Sequence, residues 1–147
     1  MSDRQLVLDA STAAKWLLPA DCEDLIPEAR NLLIAHERGH VEFFVPDLFW
    51  IEVASAVGKA IRRRRLSPEH GAGLVRDLLA YDLETLPSRT LIERAFAIAS
   101  THNCSVYDCI YVALAEEAGC DMITADERLV NALGSRFPVR WLGGMRF

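Results

Sequence analysis

Short apolar runs alternate along the chain with longer stretches in which apolar residues recur every three or four positions. That alternation of strand-like and helix-like periods predicts an α/β fold built on a mainly parallel sheet. Leu6-Val-Leu reads as a buried strand ending at Asp9, and Ser11 or Thr12 is placed to cap a short helix over residues 13–18 that Pro19 stops. A second helix is expected over residues 26–37, closed near Gly39, and Glu42-Phe-Phe-Val forms the second strand up to Pro46. Asp47 then caps a long helix running to about Arg65. Ser67-Pro68-Glu69 starts another, with Leu74, Val75, Leu78 and Leu79 on one face. A short strand over residues 83–86 precedes helices from about Thr90 to His102 and from Val106 to Ala118. Met122-Ile-Thr is a strand that stops just before Asp126, a brief helix runs to Leu133, and Val139-Arg-Trp is a last edge strand. No repeat, linker or low-complexity segment interrupts this order, so residues 1–147 read as a single domain.

Composition agrees and narrows the setting. Half the residues are hydrophobic and a quarter charged, a globular rather than a disordered balance. No apolar run approaches the ~20 residues of a membrane span, and Met1-Ser-Asp-Arg lacks signal-peptide character, so a soluble, cytoplasmic protein is expected. Cys22, Cys104, Cys109 and Cys120 fall in no metal-ligand spacing. Each lies in or beside an apolar stretch, where a free thiol behaves as a small hydrophobe.

Chemistry enters with the position of four acids. Asp9 directly follows an apolar strand and Asp126 comes two residues after another. Carboxyl ends of parallel strands line one rim, where ligand sites gather. On the long helix, Phe49, Val53, Ala56, Val57 and Ala60 make the apolar stripe. Glu52 lies about 60° from Phe49 and about 40° from Ala56, at the edge of the packing face. A bare carboxylate there is costly, so a partner is expected: a metal, or Lys59 or Ser55 as an ordinary helix-edge pair. Asp108 sits in the first turn of the last long helix, one step off its Tyr107, Ile110, Tyr111, Leu114 and Ala118 stripe. The helix dipole alone accounts for an acid there, as a turn accounts for Asp9 and a cap for Asp126. Four such acids on one rim are harder to explain singly. Gathered together they repel, and a hard divalent cation relieves the repulsion. Phosphodiester hydrolysis is the chemistry such a site supports.

The net charge of −5 at first argues against a nucleic-acid partner. With 21 acids against 16 Lys and Arg, setting those four aside leaves the remainder nearly balanced. It also leaves one dense basic run, Arg62-Arg63-Arg64-Arg65, with Lys59 a turn earlier. The run reads either as a solvated helix end complementing the dipole or as a grip on phosphates, with Arg63 ~16 Å along the axis from Glu52.

Together, Asp9-Ala-Ser11, the helix start PDLFWIEV around Glu52, SVYDCIYVALAEEAG around Asp108 and ITADERL around Asp126 resemble the PIN domain, in order and spacing across the whole chain. Within that family the likeness is to VapC-type toxins of VapBC toxin–antitoxin modules. The resemblance implies a three-layer α/β/α sandwich and an acidic pocket for Mg²⁺ or Mn²⁺. By position, Asp9 and Asp108 match the principal metal ligands, Glu52 and Asp126 the acids that complete the pocket, and Ser11 and Thr124 small polar supports. It implies endonucleolytic RNA cleavage, a homodimer and a cognate VapB-type antitoxin. Cys109 stands where relatives usually carry a small residue, and register with Thr124 favours Asp126 over Glu127 as the site acid.

The alternative reading is a catalytically silent PIN-like scaffold that binds RNA or protein. A phosphotransferase of the haloacid-dehalogenase kind would need an acid at Ser11, and a receiver domain adjacent acids at its first strand end. His36 and His40 read as an exposed pair rather than ligands; Trp16, Trp50 and Trp141 read as packing rather than base-stacking groups. Leu74, Val75, Leu78 and Leu79 with Tyr81 suit a dimer seam or core packing equally.

Overall fold

A computed structural model describes residues 4–146, the Cys22 side chain excepted, so the readings of that thiol and of the first three residues lie outside it. The chain runs β1 (Arg4–Leu8), α1 (Ala10–Leu17), α2 (Ile26–Glu37), β2 (Val41–Pro46), α3 (Leu48–Arg62), α4 (Pro68–Leu79), β3 (Glu84–Leu86), α5 (Ile92–His102), α6 (Val106–Ala118), β4 (Asp121–Thr124), α7 (Glu127–Leu133) and β5 (Val139–Trp141). The five strands form one parallel sheet in the order β3-β2-β1-β4-β5. Helices flank it on both faces, the α/β/α sandwich expected from the alternating pattern.

The central position of β1 follows from its sequence. Leu6, Val7 and Leu8 are at most 1% exposed, as a strand covered on both faces requires. The chain builds outward from β1 to β2 and β3, then crosses to β4 on the other side. This order reversal opens a crevice at the carboxyl ends of β1 and β4, where open α/β sheets bind ligands.

α1 begins at Ala10, three residues earlier than expected, because Asp9 itself occupies the N-cap position and its carbonyl accepts from the Thr12 and Ala13 amides. The hydroxyls expected to cap are used elsewhere: Ser11 bonds Asp9, and Thr12 Oγ1 donates to the Ile123 carbonyl at 3.3 Å. Asp47 precedes α3 without capping it through its side chain. Its Oδ1 instead accepts from the Ser88 amide and hydroxyl, tying α3 to a 3₁₀ turn over Ser88–Leu91 that delays α5 to Ile92. Ser67 caps α4 as expected, accepting from the His70 amide at 3.1 Å.

The expected apolar face of α4 divides. Leu78 is buried in the main core, Leu74 and Val75 pack with Val57, Ala60 and Leu66, and Leu79 is 63% exposed. Gly71 sets how closely α4 approaches α3, since a Cβ there would stand 2.5 Å from Ile61 Cδ1. Trp16 packs against Phe43 and Tyr81 while donating to the Ala29 carbonyl, and Trp50 donates to Thr85. The two histidines are not an exposed pair: α2 ends at Glu37, so only His40 is exposed. His36 turns inward, with Nδ1 2.9 Å from the Val41 carbonyl and its ring against Phe43.

Candidate active site

Asp9 is the innermost acid, carried to the rim by the end of β1 and left only 5% exposed. Its Oδ2 accepts from Thr124 Oγ1 at 2.7 Å and Ser11 Oγ at 2.8 Å. Its Oδ1 accepts from no protein group among the described residues, so one carboxylate oxygen of a buried acid is left for something else. Burial pushes this carboxyl up to about 6, against the pull of the two hydroxyls, and the charges of Asp108 and Glu52 add to the rise. The supports are themselves tied together. Ser11 Oγ accepts from the Ala125 amide and Thr124 Oγ1 from the Asp126 amide, so β1, α1 and the β4–α7 turn are fixed around one oxygen.

Glu52 does find a partner, but neither Lys59 nor Ser55. Tyr111, from the core stripe of α6, donates its hydroxyl to Glu52 Oε1 at 2.6 Å. Burial raises the Glu52 carboxyl, the Tyr111 bond opposes the rise, and the charge of Asp108 adds to it. Asp108 lies in the first turn of α6, where Ser105 Oγ caps the helix by accepting from the Asp108 amide at 3.1 Å. Its carboxyl too is raised, first by burial and then by Asp126, against a favourable bond to Ser105. Asp9, Glu52 and Asp108 thus feel one another, and Asp126 joins through Asp108.

Asp126 is different. Its side chain remains 34% exposed, and its Oδ1 caps α7 by accepting from the Arg128 and Leu129 amides. It shares a hollow with Asp108, Ser105 and Cys104. Glu127, the rival at this end, is exposed at the first position of α7. Cys109 beside Asp108 is fully buried and its thiol is pushed up to about 12, so it is a neutral small apolar group there.

The donor set of carboxylates backed by hydroxyls, with Asp9 Oδ1 bare and three carboxyls raised by burial and mutual charge, suits a hard divalent cation. No three His, Cys, Asp or Glu side chains among the described residues already stand in ligating positions.

A groove of about 310 Å³ beside this rim is lined by Ser11 and Ala125 together with Lys59, Arg63 and Arg65. Of the basic run, these three face the groove. Arg62 and Arg64 are exposed outside its lining; the Arg62 guanidinium lies back along α3 towards Gly58. Lys15 lines the groove too, but buried and bonded to Glu23 and Asp24 at 2.9 and 2.8 Å, so its charge is already matched.

Two residues of this region escape sequence reasoning: Tyr111, absorbed into an apolar stripe, and Lys15, hidden between Ala14 and Trp16 in α1. The signal for Tyr111 was its phenol, since a buried tyrosine hydroxyl needs an acceptor. Lys15 offered none.

The family model described as PIN domain matches residues 6–133, from the first core residue of β1 to the end of α7. The chain belongs to the PIN-domain family. Among curated relatives, Ribonuclease VapC12 of Mycobacterium tuberculosis is 34% identical over 129 residues, 88% of this chain and 92% of that one. Solved structures share the fold, among them the following two. VapC20 of Mycobacterium tuberculosis, described as a sarcin–ricin-loop-cleaving toxin, superimposes with TM-score 0.66 at 14% identity over 87% of this chain and 95% of its own. DNA-bound VapBC of Salmonella typhimurium gives TM-score 0.60 at 16% identity, covering 95% and 98%.

Proposed function

We propose that this PIN domain is an endoribonuclease, the toxin of a toxin–antitoxin pair, hydrolysing RNA phosphodiester bonds at a divalent-cation site. The observation that carries the reading is the buried Asp9, bare at Oδ1, in the same field as Glu52 and Asp108, with its partner Ser11 lining a groove shared with Lys59, Arg63 and Arg65. Relatives named ribonucleases, and toxin–antitoxin complexes among the solved structures of this fold, support it.

Asp9 and Asp108 would hold the ion, Mg²⁺ or Mn²⁺, with Glu52 and Asp126 completing the pocket. When bound, the ion supplies Lewis-acid polarisation of the phosphoryl oxygen and acidifies a water. The protein's own part is to orient and to grip. Ser11 and Thr124 hold one Asp9 oxygen so that the other faces the pocket. Lys59, Arg63 and Arg65 run the RNA backbone along the groove towards it, with Arg62 and Arg64 on the outer rim. The chain acts as one PIN domain over residues 1–147, in the cytoplasm with its RNA, as a homodimer silenced by a cognate VapB-type antitoxin.

The test is cleavage of total cellular RNA by the purified, antitoxin-free protein with Mg²⁺, with Mn²⁺ and with EDTA, beside Asp108→Asn. Metal-dependent fragments that vanish in the variant are expected. A folded protein that binds RNA but cuts none under any condition would replace this reading with the silent scaffold.

A further inference from the structure

Tyr111 has a place in the molecule that core packing does not explain. Its side chain is fully buried, yet its hydroxyl points out of the apolar core to Glu52 Oε1. Tyr111 also stands three residues after Asp108 on α6, so both project from neighbouring turns of one helix. One phenol therefore ties α3, through Glu52, to the helix that carries Asp108.

We infer that Tyr111 is a positioning residue that fixes the spacing of Glu52 from Asp108, and through that spacing sets the affinity of the site for a divalent cation. This rests on reading the acids as a cation site. The physics is that of a support behind a metal ligand. Without the phenol, Glu52 Oε1 has no protein donor among the described residues, and mutual repulsion swings it away from Asp108. The ion must then restrain the side chain that the protein had held in place. Supports of this kind, when removed, cost about 10- to 100-fold in metal affinity. A tyrosine that merely filled the core would lose nothing at the site when replaced by phenylalanine, which keeps the ring.

The experiment is a double-mutant cycle read by Mn²⁺ binding, using the free-ion electron paramagnetic resonance signal, on wild type, Tyr111→Phe, Glu52→Gln and the double variant. Tyr111→Phe is expected to weaken Mn²⁺ binding by about tenfold, and to change affinity little once Glu52 is already Gln. An unchanged affinity in Tyr111→Phe, or an equal loss in the Glu52→Gln background, overturns the inference while leaving the cation site standing. Failure of wild type to bind Mn²⁺ overturns both. A second readout covers poor folding of Tyr111→Phe. The chain has three tyrosines, and their ¹³Cζ resonances are assignable by elimination with Tyr81→Phe and Tyr107→Phe. Mg²⁺ should shift the Tyr111 resonance in wild type and not in Glu52→Gln; no shift in wild type overturns the inference.

Discussion

The two ends of the acidic rim are built differently. At the Asp9 end the carboxylate is buried, held by two hydroxyls, and its neighbour Glu52 is held by a third from the core. At the Asp126 end the carboxylate is part-exposed and already engaged in capping α7. A protein concerned only with stability would arrange the reverse, leaving its buried rim apolar and its acids in water. The acid that ionises at the greater cost is the buried one, and the part-exposed acid sits where capping alone justifies it.

The largest expected effect follows directly. Asp9→Asn should abolish cleavage, as should Asp108→Asn, with folding intact by circular dichroism; full activity in either would remove that acid from the site. Asp9→Asn should also make the metal-free protein more stable. The folded Asp9 carboxyl lies near 6 against an ordinary 3.8, so the folded state binds more protons between those values. Its stabilising effect is complete below about pH 3.8 and is lost as pH rises through about 6, amounting to on the order of 3 kcal/mol by neutral pH. Glu52 and Asp108, raised for the same reason, add in the same direction. Thermal melts should therefore show the metal-free wild type losing stability from about pH 4 to about pH 7, the loss flattened in Asp9→Asn. Mg²⁺ should restore stability in wild type alone. A flat wild-type profile would mean that Asp9 ionises without strain.

A smaller effect is expected at the other end. Asn caps helices as well as Asp, so Asp126→Asn removes charge and keeps the cap, whereas Asp126→Ala loses both at about 1 kcal/mol. Asp126→Asn should lower cleavage less than Asp9→Asn and leave the melting temperature nearly unchanged. If it were as damaging as Asp9→Asn, the two ends would be equals after all.

Most of the sheet was legible because each strand carries a short apolar stretch bounded by turn or helix signals, and the run Leu6-Val-Leu suits a central strand covered on both faces. The placing of Asp9 and Asp126 at one rim followed from strand ends alone. What the sequence hid was side-chain pairing across long separations. Helix-periodic reasoning sees neighbours at three and four residues, so it offered Lys59 and Ser55 to Glu52, whereas the partner is 59 residues away. It likewise offered Ser11 and Thr12 as caps, though both hydroxyls are bound to the far end of the chain. The α4 stripe stayed open between core packing and a dimer seam for a related reason. Periodicity marks which residues can share a face, and the neighbours that pack on it, α3 at Gly71 among them, decide which are covered.

The basic run gives the finest distinction. Its five cations look alike in sequence, yet Lys59, Arg63 and Arg65 line the groove that starts at Ser11 while Arg62 and Arg64 do not. If the groove carries single-stranded RNA, each phosphate deprived of its cation should reduce the dependence of log affinity on log salt by about 0.7. Replacing Lys59, Arg63 and Arg65 by Gln should therefore flatten the slope by about two units, measured by fluorescence anisotropy with the cleavage-dead Asp108→Asn protein. Replacing Arg62 and Arg64 should change it by only a few tenths, since exposed charges beyond the groove act through screened, long-range attraction. Equal slopes for the two sets would return the whole run to the role of a solvated helix terminus and leave the RNA path to be found elsewhere on the rim.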